Sequence, residues 1–248
     1  MIWLLLSILC STLIFVAFKL FDRFKISNLQ AIIINYFVAF TVGLLSDGFS
    51  VKPDELLAKP WIFSIAILGF LFIFLFQLMA YVSQKFGVAA VSVTVKMSLV
   101  IPVSFGIWYY GDTITILKVL GIVAALTAVY LATRKPIKTK VAPLYVFLPL
   151  ILFVGSGFLD AFLKYNQQEL VPSSEQSYFA SLIFLTAGFL GVIMLVIQRF
   201  RGKEPLHWRN IIGGIALGIP NYGSIYFLLK ALEVKNLESS VVFPINNV

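Results

Sequence analysis

Two charged side chains, Lys96 and Asp160, lie inside stretches that are otherwise apolar. Lys96 falls near the middle of FGVAAVSVTVKMSLVIPVSFGIWYY, residues 86–110, which is long enough to cross a bilayer because about 20 apolar residues suffice. A cation near the bilayer centre costs roughly 2.5–3.5 kcal/mol on insertion scales, so such residues normally face a bundle interior or a wet cavity. Pro102, in the same stretch, removes one backbone hydrogen bond. We therefore predict a discontinuous helix that lines a cavity.

Each charge has a structural and a functional interpretation. Lys96 either pairs with an acid and serves packing alone, or it lines a cavity and attracts an anionic group. Asp160 stands one turn before Lys164, and this spacing favours an ion pair near the membrane surface. The functional alternatives for Asp160 are a proton-coupling acid and a partner for Lys96, because intramembrane acids mark proton relays.

Uncharged polar side chains in the apolar stretches form a second set of candidates. An apolar cavity needs only a few placed polar groups to hold a polar ligand. Hydrogen bonding between helices is the structural alternative for each of them. The candidate binding residues of this kind are Gln77, Ser92, Asn221, Tyr222 and Tyr226.

Composition places the chain among membrane proteins. Its 248 residues are 60% hydrophobic and 12% charged, whereas a soluble domain is nearer 25% charged. The basic residues behind the net charge of +8 lie mainly between the apolar stretches, where they set topology, so they do not indicate nucleic acid. The single cysteine, Cys10, and the single histidine, His207, argue against a zinc site or a histidine-based catalytic dyad. We expect an all-α polytopic transmembrane helix bundle without metal or cofactor.

The apolar stretches predict eight complete spans and the beginning of a ninth. The predicted spans cover about residues 2–21, 29–45, 60–81, 86–110, 114–133, 142–164, 177–197 and 210–232. Within the eighth, Gly214 and Gly218 have the GxxxG spacing that permits close helix approach. Basic residues are most frequent after spans one, three, five and seven, and this asymmetry predicts that the basic run 134–140 is cytoplasmic.

The two parts of the chain repeat each other. A shift of 145 positions aligns the first spans with spans six and seven, and the shift grows to about 150 further along. Residues 1–134 then form one half of five spans, and residues 135–248 form a second, incomplete half. An odd number of spans per half predicts opposite orientations, which is the inverted-repeat plan of many membrane proteins. The aligned pairs include Thr41 with Thr186, Gly43 with Gly188, Gly69 with Gly218, and Lys96 with Asn246, a further candidate binding residue.

Several motifs resemble those of the drug/metabolite transporter superfamily, and of its EamA-like members in particular. In the fourth span these are GVAA at 87–90 and IP at 101–102. GDTIT at 111–115 and YLA at 130–132 flank the fifth, although members more often carry glutamate where Asp112 stands. LEV at 232–234 and FP at 243–244 are similar to the second copy. The resemblance implies a ten-helix secondary carrier or exporter. By the shift of the internal repeat, the second half would extend to about residue 283, so we expect this chain to stop within its ninth span.

The resemblance implies transport of a small polar metabolite, in the cell membrane of a bacterium, by alternating access between the two inverted halves. In phosphate-exchanging members, cationic residues on central helices hold the anionic substrate. Here only Lys96 of the two equivalent positions is a cation, which favours a monoanion or carboxylate. The alternatives are a membrane-embedded enzyme and a non-transporting scaffold. We expect a small molecule and the lipid bilayer as partners and no nucleic acid. The sequence does not determine the oligomeric state, and a monomer is plausible for the full-length protein.

Overall fold

The computed structural model of the protein is a bundle of α-helices. The structure describes residues 2–47, 53–111, 113–133, 147–200 and 207–232. The ninth apolar run, the basic run 134–140, Asp112 and Asn246 lie outside these residues. The described helices are α1 (Ile2–Arg23), α2 (Asn28–Asp47), α3 (Pro53–Leu56), α4 (Ile62–Phe86), α5 (Val88–Met97), α6 (Val100–Tyr109), α7 (Ile116–Thr133), α8 (Leu148–Tyr165), α9 (Gln176–Phe200) and α10 (Trp208–Leu232).

The prediction of an all-α polytopic membrane bundle is confirmed. Six stretches of the described chain are long and apolar enough to cross a membrane, and Ile116–Leu131 is a shorter apolar helix. Many large apolar side chains remain exposed along them, as expected of surfaces that face lipid rather than water. The six stretches are Ile2–Arg23, Asn28–Leu45, Ile62–Phe86, Val88–Tyr109, Leu148–Leu170 and Ser173–Phe200.

The links carry structure that the sequence did not predict. The short helix α3 lies between α2 and α4. The polar link after α8 continues as a π-helical turn, Asn166–Leu170, and a 3₁₀ turn, Ser173–Glu175, immediately before α9. The link from α4 to α5 is a single residue, Gly87, at φ 93° and ψ 156°. Only glycine adopts this backbone conformation readily, because it has no Cβ.

The core is built from α2, α4, α9 and α10, with α1 and α8 packed on its sides. α2 packs against α9 and α10, and α4 packs against α8 and α9. Aromatic rings fill the centre: Tyr36 of α2 lies 5.5 Å from Phe76 of α4 and 6.1 Å from Phe184 of α9, between ring centroids. Phe18 of α1 meets Phe76 edge-on at 5.8 Å.

The predicted close approach at the GxxxG motif of α10 is confirmed, and α2 is the partner helix. A Cβ atom built at Gly214 would lie 2.7 Å from the carbonyl oxygen of Ala31, and one at Gly218 would lie 2.9 Å from that of Asn35. These contacts are with backbone atoms, which cannot rotate away. The two glycines therefore set the distance between α10 and α2.

We expect Gly214→Ala to destabilise the protein by about 1–3 kcal/mol, because overpacking forces the helices apart. The matched control is Gly121→Ala in α7, where a Cβ atom would meet nothing within 4 Å. Alanine is the better helix former, so Gly121→Ala should leave stability unchanged or raise it. Thermal unfolding of both variants in detergent measures the difference. Equal melting temperatures for the two variants would contradict the close packing at Gly214.

Candidate functional site

A pair of buried amides joins α2 to α10 near the middle of the bundle. Asn221 donates from Nδ2 to Oδ1 of Asn35 at 3.0 Å, and both side chains are almost fully buried. Asn35 in turn donates to the carbonyl oxygen of Ile32 at 3.4 Å. Asn221 follows Pro220, which lies inside α10 and cannot donate a backbone hydrogen bond. The buried amides thus place hydrogen-bonding groups beside a proline inside α10.

Two further polar groups at this level are buried without a partner. The hydroxyl of Tyr36 and the Nε2 of Gln77 find no hydrogen-bond partner among the described residues. The Tyr36 ring packs on Phe76, the neighbour of Gln77, so the two groups lie at the same depth. Leaving a buried polar group unsatisfied costs about 1–3 kcal/mol. A bound polar molecule would recover this cost, which makes the two groups candidate ligand contacts.

Tyr222 completes what we call the polar layer: Asn35, Tyr36, Gln77, Asn221 and Tyr222. Its buried ring stacks on Tyr226 at 5.9 Å between centroids. Gly43 of α2 makes room for this ring, since a Cβ atom there would lie 2.8 Å from a Tyr222 ring carbon and closer still to the Ser181 hydroxyl. The polar layer thus draws side chains from three helices, α2, α4 and α10.

Lys96 and Ser92 lie on another helix, α5. Both are partly buried on α5, which packs against α1, α4, α7 and α8. Lys96 is in the last turn of α5, directly before the break from α6. At the break, the amide of Ile101 donates to the carbonyl of Ser98 at 2.9 Å, whereas Pro102 has no amide hydrogen to complete the helical pattern. The predicted break in this span is therefore confirmed, and the cavity that it would line stays a prediction.

Asp160 lies partly buried on α8, which packs against α4, α5 and α6. The ammonium of Lys164, one turn further, lies 5.5 Å from the centre of the Tyr110 ring. This is a cation–π arrangement, which holds the ammonium against an aromatic face. The roles predicted for Asp160 and Lys96 stay predictions.

The sequence identified three members of the polar layer, Gln77, Asn221 and Tyr222, and missed Asn35 and Tyr36. One available indication was the dipeptide Asn-Tyr, which occurs in the second span at 35–36 and again at 221–222. Ser92 and Lys96 lie on α5, which packs against α4, and Tyr226 lies at the edge of the layer, stacked on Tyr222 and in edge contact with Phe227.

Comparison of the amino-acid sequence with known proteins places this chain in a family. The chain is 27% identical, over 257 aligned positions, to a protein of Haemophilus influenzae that is described as uncharacterized, and the alignment covers 99% of this chain and 84% of the relative. No solved structure matches the chain. The family model of the EamA-like transporter family matches residues 1–134, more than half of the chain. The chain therefore belongs to the EamA-like transporter family, and it is a multi-pass membrane protein of a transporter type.

Proposed function

We propose that the protein is a secondary-active transporter that carries a small polar metabolite across the cell membrane by alternating access. The observation that carries this proposal is the polar layer, in which the Tyr36 hydroxyl and the Gln77 Nε2 are buried and find no partner in the part of the chain that the structure describes. Transporter substrate sites lie near the bilayer midplane, beside interrupted helices. The break before Pro102 fits that plan, and Pro220 removes one backbone hydrogen bond from α10, which continues through it.

The helix packing supports two inverted halves, 1–134 and 135–248. If spans one, two and three correspond to spans six, seven and eight, then α1 corresponds to α8, α2 to α9 and α4 to α10. Under this correspondence, the counterpart of the contact between α1 and α10 is the contact between α8 and α4. The counterpart of the contact between α2 and α10 is the contact between α9 and α4. The contact between α2 and α9 is its own counterpart. All five contacts are present, as a two-fold relation between the halves requires.

The glycines aligned by the repeat support the same relation. Gly43 of α2 lies against Ser181 of α9, and its counterpart Gly188 of α9 lies against Phe37 of α2. Gly69 of α4 lies against Thr186 of α9, and its counterpart Gly218 of α10 lies against Val38 of α2. Equivalent glycines thus permit equivalent close approaches across the interface between the halves.

We further propose that the substrate carries one anionic group, which Lys96 attracts, while the polar layer binds its hydrogen-bonding groups. A lysine ammonium is a compact charge that suits a carboxylate without requiring a fixed fork geometry. No catalytic role is proposed for any residue, and a gradient rather than a bound cofactor drives the cycle.

Flux into proteoliposomes tests this function. We expect saturable uptake of at least one small polar metabolite, dependent on an imposed gradient and absent from protein-free vesicles. Gln77→Leu should reduce uptake because it removes the unsatisfied amide. The control is Thr127→Ala on the exposed side of α7, where the hydroxyl donates only to the carbonyl of Val123 within its own helix. No flux across a broad metabolite panel, with the protein folded, would refute the proposal.

A further inference from the structure

Two buried polar clusters join the two halves at opposite ends of the bundle. The charged cluster joins the start of α4 to the start of α9. In it, Glu175 accepts from Lys59 Nζ at 2.7 Å and from Trp61 Nε1 at 3.1 Å. Trp61 is fully buried, and Phe179 meets its ring edge-on at 5.5 Å. A single carboxylate thus accepts from two donors of the link that precedes α4.

The amide cluster joins the start of α10 to the start of α2. Asn210 donates from Nδ2 to Oε1 of Gln30 at 2.6 Å, and its Oδ1 accepts from the backbone amide of Ser27 at 3.0 Å. Asn210 and Gln30 are 2% and 5% exposed, so water does not compete for these hydrogen bonds in this conformation. A single side chain again makes two hydrogen bonds to the other half.

The clusters lie at opposite faces of the membrane. α4 has 25 residues, and at about 1.5 Å per residue it spans the bilayer. The charged cluster lies at the beginning of α4. At its other end, Gln84 exchanges two hydrogen bonds with Asn28, at 2.9 and 3.2 Å, beside the amide cluster. The length of a transmembrane helix therefore separates the two clusters.

The clusters are also related by the internal repeat. Glu175 stands 145 positions after Gln30, and Asn210 stands 149 positions after Trp61. These are the shifts that align Gly43 with Gly188 and Gly69 with Gly218. The charged cluster thus joins the third span of the first half to the seventh span, in the second half. The amide cluster joins the second span to the eighth, at the equivalent positions. One is held by a charge and the other by neutral amides.

We propose that the charged cluster and the amide cluster are the two gates of the transport cycle, each closing one face of the membrane. The proposal rests on the alternating access proposed above. Both gates are closed in this structure. Opening one face breaks the hydrogen bonds of its own cluster while the other cluster stays closed. Because the closures differ in chemistry, a substitution can weaken one cluster alone. It then shifts the balance toward the form that is open at that cluster's face.

Buried leucines at matched depths report which face is open. Leu68 lies seven residues beyond Trp61 on α4, and Leu217 lies seven residues beyond Asn210 on α10, so each is about 10 Å inside its cluster. Both are fully buried. The experiment introduces Leu68→Cys or Leu217→Cys into a Cys10→Ser background, which removes the single native thiol. A bulky water-soluble maleimide then labels the protein in nanodiscs, where both faces are accessible.

The test variants remove two hydrogen bonds each. We expect Glu175→Ala to raise the labelling rate at Leu68→Cys at least roughly tenfold, the lower limit for losing one hydrogen bond to a charged group, without raising it at Leu217→Cys. Asn210→Ala should show the reverse pattern. If an alanine variant does not fold, Trp61→Phe replaces Glu175→Ala and Gln30→Met replaces Asn210→Ala. Each of these two removes one hydrogen bond of its cluster. The same reciprocal pattern is expected with smaller amplitude.

The pattern of labelling decides between gating and simple loosening. Faster labelling at both reporters in any one variant, or no change at either reporter in all of them, would overturn the proposal. The labelling needs no substrate, so the two proposals fail separately. Reciprocal labelling in a protein without flux would support the two clusters as closures of opposite faces and refute the proposed transport. Flux together with non-reciprocal labelling keeps transport and removes the clusters as gates.

Discussion

Replacing Lys96 with methionine should reduce flux of an anionic substrate at least about thirtyfold, because losing one partner of a desolvated charge contact costs about 2–5 kcal/mol. Methionine keeps the length of the side chain and removes its charge. Lys96→Arg keeps the charge but replaces a compact ammonium with a planar fork, so we expect partial activity. The measurement is substrate flux in proteoliposomes at matched protein incorporation.

Two comparisons separate substrate attraction from structural pairing. If Lys96 serves only to pair with Asp160, the double variant Lys96→Met with Asp160→Asn should recover the flux that either single variant loses. If Lys96 attracts the substrate, the double variant stays inactive. Lys118→Met is the matched control, because Lys118 lies half-buried in the first turn of α7, with its ammonium on the carbonyl of Thr113. Wild-type flux in Lys96→Met would leave Lys96 as a structural charge.

Tyr36→Phe should change stability and transport in opposite directions. The hydroxyl is buried without a partner among the described residues, so its removal should stabilise the protein by about 1 kcal/mol. The same change removes a candidate substrate contact and should lower flux roughly threefold to tenfold, the value of one hydrogen bond. Thermal unfolding and proteoliposome flux on the same preparation measure both effects. A variant that is less stable than the wild type would show that the hydroxyl is structural.

Ser7→Ala provides the contrasting control for this prediction. The Ser7 hydroxyl is also fully buried, but it donates to the carbonyl oxygen of Ser224 at 2.7 Å. Its removal leaves that carbonyl without the donor, so Ser7→Ala should destabilise the protein by about 1 kcal/mol. The two variants delete the same chemical group from equally buried positions. Opposite signs of the stability change would therefore reflect hydrogen bonding alone.

Local physical chemistry explains the features that could be predicted from the sequence. A bilayer requires backbone hydrogen bonds to close within each segment, so long apolar runs become helices whatever their tertiary surroundings. Proline cannot donate a backbone hydrogen bond, so the break before Pro102 is a property of the chain itself. Gly214 and Gly218 lack side chains, so the close approach of α10 to some neighbour was predictable, whereas its partner helix was not.

The partners of the polar side chains were decided only by the tertiary structure. Asn221 pairs with Asn35, and Glu175 with Lys59 and Trp61, over separations that no local pattern encodes. In an apolar chain almost every face of every helix is hydrophobic, so periodicity does not indicate which faces meet. Close packing at positions such as Gly43 and Gly69 selects the neighbours. The amino-acid sequence by itself determined the helices, their breaks and their family resemblance, whereas shape complementarity between helices decided which polar groups share the interior and which join the two ends of the bundle.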